Sequence, residues 1–365
     1  MKTIIAIAGL GAALPSMAQT LPFRVFDSHA HFYTDDFLEY PLHPEHAYMG
    51  AKRLIEIVAD RPNTPEYVLK LWDENGVEAG AGVQYGTAYQ ADNSYVLSVA
   101  HHYPQRIAPV VMLDTNSTAA PKTLRKLVKR DSVVGIRLAA ARDKNGAYPG
   151  LDSPRTLKVW AVANSLHLPV IVFPSVRGPD PYGAASEAMQ KVLELARRYP
   201  DTKIVLDHFG WPGPSGAPDY GIEGVYRRLA AQKNIFFKVT TVNFNALGAH
   251  GISTSGFLRH AVDTYGAHRI MWGSDLGNTP LPYAEIVDKA IAATALLNEP
   301  EREQVLRNTG YEIFGRPEMG TAEDQALSSR FSESCPPLRN KPRTCPLRNP
   351  PPAAAVPSPA AAAPA

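Results

Sequence analysis

The chain has 365 residues, of which 45% are hydrophobic and 20% are charged, and its formal net charge is +2. This length suits one barrel-sized domain or two ordinary ones, and the composition is that of a globular enzyme. The small net charge excludes a strongly basic protein and gives no indication of a nucleic-acid partner. Both cysteines, Cys335 and Cys345, lie near the C-terminus, so the rest of the chain has neither a disulfide framework nor a thiolate metal site.

The two ends of the chain differ in character from the rest. Residues 1–18 have a positive start, a short apolar run and small residues at the end, which predicts a signal peptide and export to the periplasm or the medium. A flexible apolar start on a cytosolic protein is the alternative. The run is too short to span a membrane, and no other segment is apolar enough. Residues 328–365 are rich in proline and alanine without periodicity, which predicts a disordered tail.

Apolar runs rich in β-branched residues alternate with helical patterns between these ends. Strands are predicted at residues 24–29, 77–85, 107–114, 133–138, 168–173, 203–207, 235–242 and 269–272. Helices are predicted at residues 51–60, 64–73, 92–103, 121–130, 154–166, 186–199, 221–232, 256–265, 283–297 and 299–314. This alternation predicts a (β/α)8 TIM barrel over residues 22–317. An open doubly wound sheet is the alternative, disfavoured because no Gly-x-Gly-x-x-Gly follows a strand.

The first predicted strand ends in three ionisable residues, Asp27, His29 and His31. Side chains alternate along a strand, so all three are expected on one face. Core packing explains such a group poorly, whereas two imidazoles at this spacing can hold a metal or bind an anionic substrate. A solvated strand end is the alternative.

Polar residues also occur at the ends of later strands, where a TIM barrel places its chemistry. The residues concerned are Tyr85, Asp207, His208, Lys238 and Asp275. A structural histidine would explain His208 alone, and a cap would explain Asp275 alone. Because they accompany the strand-one histidines, a shared site is the better interpretation.

Arg137 lies inside the predicted fourth strand. It is either part of a structural ion pair or a guanidinium fork for a substrate carboxylate. Lys238 has the same two interpretations, and we predict that Arg137, Lys238 and Tyr85 bind the substrate. Asp27 is expected to hold a histidine tautomer, and Asp207 to orient a neighbour.

Four motifs resemble the amidohydrolase superfamily. They are Phe26-Asp27-Ser28-His29-Ala30-His31, Val134-Gly135-Ile136-Arg137-Leu138, Val205-Leu206-Asp207-His208-Phe209-Gly210 and Met271-Trp272-Gly273-Ser274-Asp275. The chain is most similar to the amidohydrolase-related branch that includes 2-pyrone-4,6-dicarboxylate lactonase and sugar lactonases. The resemblance covers residues 22–317 and is more specific for the superfamily than for a substrate.

The resemblance implies roles for the matched residues. His29 and His31 match the strand-one His-x-His pair of the family, His208 its strand-six histidine and Asp275 its strand-eight aspartate. In the family the aspartate takes a proton from the attacking water, and the strand-six histidine polarises the substrate carbonyl or steers the water. Arg137 matches an arginine that can bind a substrate carboxylate in the lactonase branch.

One departure from the family pattern concerns the metal. Metal-dependent members usually carry a ligand, a histidine or a modified lysine, at the end of strand four or five, whereas the fifth strand here ends in Phe173-Pro174. His29, His31 and Asp275 still supply three ligands for a divalent metal, zinc being the first candidate. The lactonase-like branch also includes members that work without metal, so both possibilities remain.

Three functions are compatible with these residues. The first is a hydrolase that opens a lactone or related cyclic ester of a carboxylate-bearing small molecule, with Asp275 as general base and His208 acting on the oxyanion or the water. The second is a metal-dependent decarboxylase of an aromatic or muconic acid, which the missing strand-five ligand disfavours. The third is a non-catalytic exported binding protein, disfavoured by the complete set of polar groups. The sequence leaves the substrate and the oligomeric state undetermined.

Overall fold

The computed structural model describes residues 21–175 and 179–315. Eight strands lie side by side in chain order. They are β1 (Val25–Ala30), β2 (Val77–Val83), β3 (Ile107–Met112), β4 (Gly135–Ala140), β5 (Val170–Pro174), β6 (Ile204–Leu206), β7 (Ile235–Thr240) and β8 (Ile270–Gly273). All seven neighbouring pairs are parallel.

Helices separate the strands and cover the outside of the sheet. They are α1 (Ala51–Asp60), α2 (Pro65–Glu74), α3 (Gly86–Tyr89), α4 (Ser94–His102), α5 (Ala120–Asp131), α6 (Pro149–Asp152), α7 (Pro154–Ser165), α8 (Pro181–Arg198), α9 (Gly224–Leu229), α10 (Thr241–Ala249), α11 (Thr254–Tyr265), α12 (Tyr283–Ala293), α13 (Glu299–Glu303) and α14 (Thr309–Phe314). A π-helical turn, Gln304–Asn308, joins α13 to α14. Among the described helices, none combines the length and the apolarity that crossing a membrane requires.

The barrel closes where β1 meets β8. The amide of Asp275 donates to the carbonyl of His29 at 2.8 Å, and the amide of His31 donates to the carbonyl of Leu276 at 3.0 Å. Ala30 and Leu276 form a parallel bridge beside these bonds. The predicted (β/α)8 TIM barrel is therefore confirmed, and the C-terminal ends of its first and last strands lie in direct contact.

Alternation along β7 shows how the interior changes from apolar to polar. Phe236, Lys238 and Thr240 lie on the same face of the strand. Phe236 belongs to a buried apolar cluster that also contains Ile313 and Phe314 from the last helix. Lys238 and Thr240, one and two steps closer to the C-terminal end, are fully buried polar residues. Apolar side chains thus fill the N-terminal end of the barrel, and the ionisable groups lie toward its C-terminal end.

Some predicted boundaries differ from the structure. The seventh strand was expected to reach residue 242, but it ends at Thr240 and α10 begins at the next residue. Thr240, Thr241 and Val242 are β-branched and favour a strand, whereas the side chain of Asn243 accepts from the amide of Thr240 at 3.0 Å and starts the helix. The short helices α3 and α6 were not predicted either. The signal peptide at residues 1–18 and the tail at residues 328–365 lie outside the described residues and stay predictions.

Candidate active site

Two histidines and a carboxylate converge where β1 meets β8. The Nε2 atoms of His29 and His31 lie 3.2 Å apart. Asp275 Oδ1 lies 3.5 Å from the first and 3.4 Å from the second. All three side chains are almost completely buried. Asp275 has a positive φ of 54°, a conformation that few non-glycine residues adopt, and Asn278 Nδ2 donates to its Oδ1 at 3.2 Å.

The ring nitrogens of the two imidazoles have different partners. His31 Nδ1 contacts the carbonyl of Val83 at 2.8 Å, so Nδ1 is the donor and Nε2 carries a lone pair. His29 Nδ1 lies 3.5 Å from Asp207 Oδ1 and makes no hydrogen bond to a described residue. Burial lowers the pKa of His29 well below its usual value, so this ring is neutral at neutral pH. The Nε2 atoms of the two rings face each other across 3.2 Å, close enough for both to bind one ion.

This arrangement fits a divalent metal ion. Ligand atoms at the Zn–N distance of about 2.0–2.1 Å, placed at tetrahedral angles, lie roughly 3.3 Å from one another. The three separations here are 3.2, 3.4 and 3.5 Å. Within residues 21–175 and 179–315, no other group of three His, Cys, Asp or Glu side chains has its donor atoms this close together. Phe173 occupies the end of β5, where metal-dependent relatives were expected to carry a further ligand.

A glycine allows β8 to approach β1 at this point. A Cβ atom on Gly273 would lie 2.6 Å from His29 Cβ and 2.9 Å from His29 N. We expect Gly273→Ala to displace His29 and to lower the free energy of unfolding by about 1–3 kcal/mol, the usual cost of overpacking. Denaturant unfolding measures this change. Gly248→Ala is the matched control, because a Cβ there would meet nothing within 4 Å in α10 and should be neutral or stabilising. Equal stability of the two variants would contradict the prediction.

Asp207 anchors a buried ion cluster beneath the histidines. Arg137 Nε donates to its Oδ2 at 2.7 Å, and Lys238 Nζ lies 3.0 Å from its Oδ1. Burial alone would raise the pKa of Asp207, but Lys238 and Arg137 outweigh burial and hold it at about 2. The predicted orienting role of Asp207 therefore has a geometric basis: it faces the ring of His29 and fixes both cations.

Asp27 does not hold a histidine tautomer, contrary to expectation. Its Oδ1 accepts from the backbone amides of His29 at 3.0 Å and Ser274 at 2.8 Å, and its Oδ2 accepts from the Tyr283 hydroxyl at 2.9 Å. Burial raises its pKa. Asp27 thus ties β1 to β8 and α12, while Asp207 takes the position beside an imidazole.

The three residues predicted to bind substrate lie at different depths. Arg137 is 8% exposed, and its guanidinium lies over the Phe173 ring at 4.4 Å. Nε is the guanidinium nitrogen that bonds to a described residue, so the Nη edge remains available to a ligand. Tyr85 packs against the His31 ring at 4.9 Å, and its hydroxyl has no hydrogen-bond partner among the described residues. Lys238 is 0% exposed, which favours a role in holding Asp207; substrate binding by Lys238 stays a prediction.

His208 is presented by a left-handed turn. Four consecutive residues, His208 to Trp211, have φ values of 51°, 59°, 74° and 56°. The Tyr226 hydroxyl lies 2.9 Å from the carbonyl oxygen of Gly210 and 2.8 Å from that of Trp211, and its one proton, shared between them, holds the turn. The His208 ring stacks on that of His29 at 5.5 Å between centroids. Burial lowers the pKa of His208, against the opposing charges of Asp275 and Asp207.

Sequence reasoning missed two residues behind His208. Thr240 Oγ1 lies 2.8 Å from His208 Nδ1, and Asn243 Nδ2 donates to the His208 carbonyl at 2.8 Å. The available signal was the spacing of Thr240 and Asn243, which is typical of a helix start and carries no indication of a catalytic partner.

Comparison with known proteins shows what this chain is similar to. Residues 26–316 match the model of the Amidohydrolase family. An L-fucono-1,5-lactonase from Burkholderia ambifaria is 26% identical over 266 residues, which cover 70% of this chain and 80% of the relative. A crystal structure described as a 2-pyrone-4,6-dicarboxylic acid hydrolase from Pseudomonas putida superposes with a TM-score of 0.61 at 20% identity, covering 81% of this chain and 98% of that one.

A third protein extends the comparison to another reaction. A 5-carboxyvanillate decarboxylase from Novosphingobium aromaticivorans, crystallised with bound manganese, has a TM-score of 0.56 at 11% identity and covers 81% of this chain and 98% of that one. At such identities the two structural likenesses show the fold. The family match spans most of the chain and includes every residue of the site described above. This chain therefore belongs to the Amidohydrolase family and is a hydrolase of the amidohydrolase superfamily.

Proposed function

We propose that the protein hydrolyses a lactone or a related cyclic ester of a carboxylate-bearing small molecule. The observation that carries this proposal is the convergence of His29, His31 and Asp275 on one point, with His208 stacked beside them. The similarity to a fuconolactonase supports ring opening of an ester. The decarboxylase is similar in fold alone and supports no reaction here.

Asp275 is the residue that takes the proton from the attacking water. Burial would raise its pKa, but the contacts with His31 and His208 outweigh burial and lower it, so the carboxylate is ionised at neutral pH. Its Oδ1 faces the two histidines and accepts from Asn278. Its Oδ2 has no hydrogen-bond partner among the described residues and is the oxygen available to accept a proton.

Arg137 anchors the substrate carboxylate. Because its Nε is bonded to Asp207 and its guanidinium lies over Phe173, the group is already oriented when substrate arrives. The Nη edge then offers two parallel donors, which match the two oxygens of a carboxylate. Little side-chain entropy is lost on binding, since the arginine is fixed beforehand.

A divalent ion, zinc in our proposal, would be held by His29, His31 and Asp275, and when bound it would polarise the ester carbonyl and acidify the water. Its removal gives a direct test. We expect purified protein to contain about one zinc per chain, to open an aldonolactone or a pyrone dicarboxylate, and to lose that activity on chelation. Elemental analysis and proton release measure the two quantities, and added zinc should restore activity.

Three other outcomes of this experiment would change the proposal. Chelator-resistant hydrolysis by metal-free protein would make His29 and His31 substrate-binding groups. Release of CO2 in place of ring opening would replace the hydrolase with a decarboxylase. Tight binding of a small acid without turnover would replace the enzyme with a binding protein.

A further inference from the structure

We infer that Thr240 and Asn243 fix His208 in the tautomer whose proton lies on Nδ1, so that Nε2 presents a lone pair to the active site. Both are positioning residues, because they act through His208. The inference deepens the proposed function and in part rests on it, since it decides which of two roles His208 takes in hydrolysis. Its structural half, the location of one proton, is independent of the substrate.

The argument begins with the side-chain amide of Asn243. One end lies 2.8 Å from the carbonyl oxygen of His208, which can only accept a hydrogen bond. The other end lies 3.0 Å from the backbone amide of Thr240, which can only donate. These two backbone partners fix the orientation of the amide: Nδ2 points to His208 and Oδ1 points to Thr240.

The hydroxyl of Thr240 is the next link. Its oxygen lies 3.2 Å from Asn243 Oδ1 and 2.8 Å from His208 Nδ1. A hydroxyl has one proton to donate, and Asn243 Oδ1 can only accept, so the proton goes to Asn243. The hydroxyl oxygen must then accept from His208, which places a proton on Nδ1. The opposite assignment would leave two oxygen lone pairs facing each other inside a buried network.

The second nitrogen of His208 follows from this assignment. Nε2 carries the lone pair and has no hydrogen-bond partner within residues 21–175 and 179–315. An unprotonated nitrogen accepts a hydrogen bond and cannot donate one to a substrate carbonyl. In the resting enzyme His208 therefore accepts from the attacking water and orients it, and it does not polarise the carbonyl.

Nuclear magnetic resonance of the histidine rings tests the proton directly. The probe is the full-length protein as purified, labelled with [15N]histidine and studied at neutral pH without substrate. His208→Gln identifies the signals of this ring by their loss. We expect a protonated Nδ1 and an unprotonated Nε2. A proton on Nε2, or on both nitrogens, would overturn the inference whether or not the protein hydrolyses lactones.

Substitutions at Thr240 connect the tautomer to turnover. Thr240→Val removes the hydroxyl at nearly constant volume and should let the Nε2-protonated form appear, with kcat falling about 10–100-fold, the usual cost of losing such a partner, and KM little changed. Thr240→Ser should keep both the tautomer and kcat. Thr241→Val is the matched control, because that buried hydroxyl has no partner among the described residues.

Two outcomes would contradict the link between the His208 tautomer and turnover. One is a Thr240→Val protein that retains the wild-type ring signals. The other is a protein that loses kcat while its ring signals remain unchanged. If no lactone is turned over by the wild type, the proposed function fails, while the ring signals still decide the tautomer.

Discussion

Asp275→Asn is expected to lower kcat for lactone hydrolysis by about 10²-fold to 10⁴-fold, the range associated with loss of a general base, while the barrel folds normally. The asparagine side chain has the same shape, but its amide cannot take a proton from water. The backbone bond from residue 275 to His29 does not involve the side chain, so the contact between β1 and β8 should persist. Steady-state kinetics and thermal unfolding, measured on the same preparation, separate the two effects.

Asp288→Asn provides the matched control. Asp288 is exposed on α12, so this substitution makes the same chemical change on the outer surface. It should alter neither kcat nor the unfolding temperature measurably. A kcat for Asp275→Asn within the range of this control would refute the assignment of Asp275 as the base.

Asp207→Asn is expected to lower the free energy of unfolding by about 3–5 kcal/mol, because removing one partner of a buried ion pair leaves an uncompensated charge. Here two cations, Arg137 and Lys238, depend on one carboxylate that is fully buried. The comparison is Asp219→Asn, which breaks an exposed pair with Arg227 at 3.5 Å and should cost about 1 kcal/mol or less. Denaturant unfolding of the two variants measures the difference.

A double variant identifies the cause of the loss. Lys238→Met in the Asp207→Asn background replaces one unpaired cation with an apolar side chain of similar length beside Phe314, which lies 5.1 Å from Lys238 Nζ. Part of the lost stability should return. If Asp207→Asn costs no more than Asp219→Asn, or if Lys238→Met adds a further loss, charge compensation is not what stabilises this part of the barrel.

The fold was predictable because its signal repeats eight times. Each strand is a short apolar run, and small errors at one boundary do not alter the order of the elements. The end of β7 shows where this signal fails. Three β-branched residues, Thr240 to Val242, favour a strand, and the helix begins among them because one side chain, that of Asn243, binds the Thr240 backbone. Strand and helix propensities summed over several residues take no account of that single hydrogen bond.

The candidate site was predictable in its chemistry and not in its contacts. His29, His31, His208 and Asp275 were identified because strand ends meet at one face of a barrel. Asp27 was expected to be the partner of a histidine, because alternation along a strand places all three side chains on one face. The pairing of β1 with β2 shifts register between Asp27 and Ala30, so strict alternation does not hold there. The left-handed turn at His208 was also invisible, since Gly210 is its one residue that adopts positive φ at little cost.

The contact between β1 and β8 also determines at which stage of folding the active site can form. Ser274 Oγ donates to the carbonyl of His29 across 245 positions of sequence. During synthesis His29 and His31 emerge early, and Asp275 emerges after almost the whole barrel has been made. Contacts between such distant segments form slowly, because the entropy cost of closing the chain between them must be overcome first. An ion that needs all three ligands binds the closed barrel in preference to incomplete chains, and its binding free energy adds to the stability of the closed form. Catalytic competence therefore arises in chains whose first and last strands have paired.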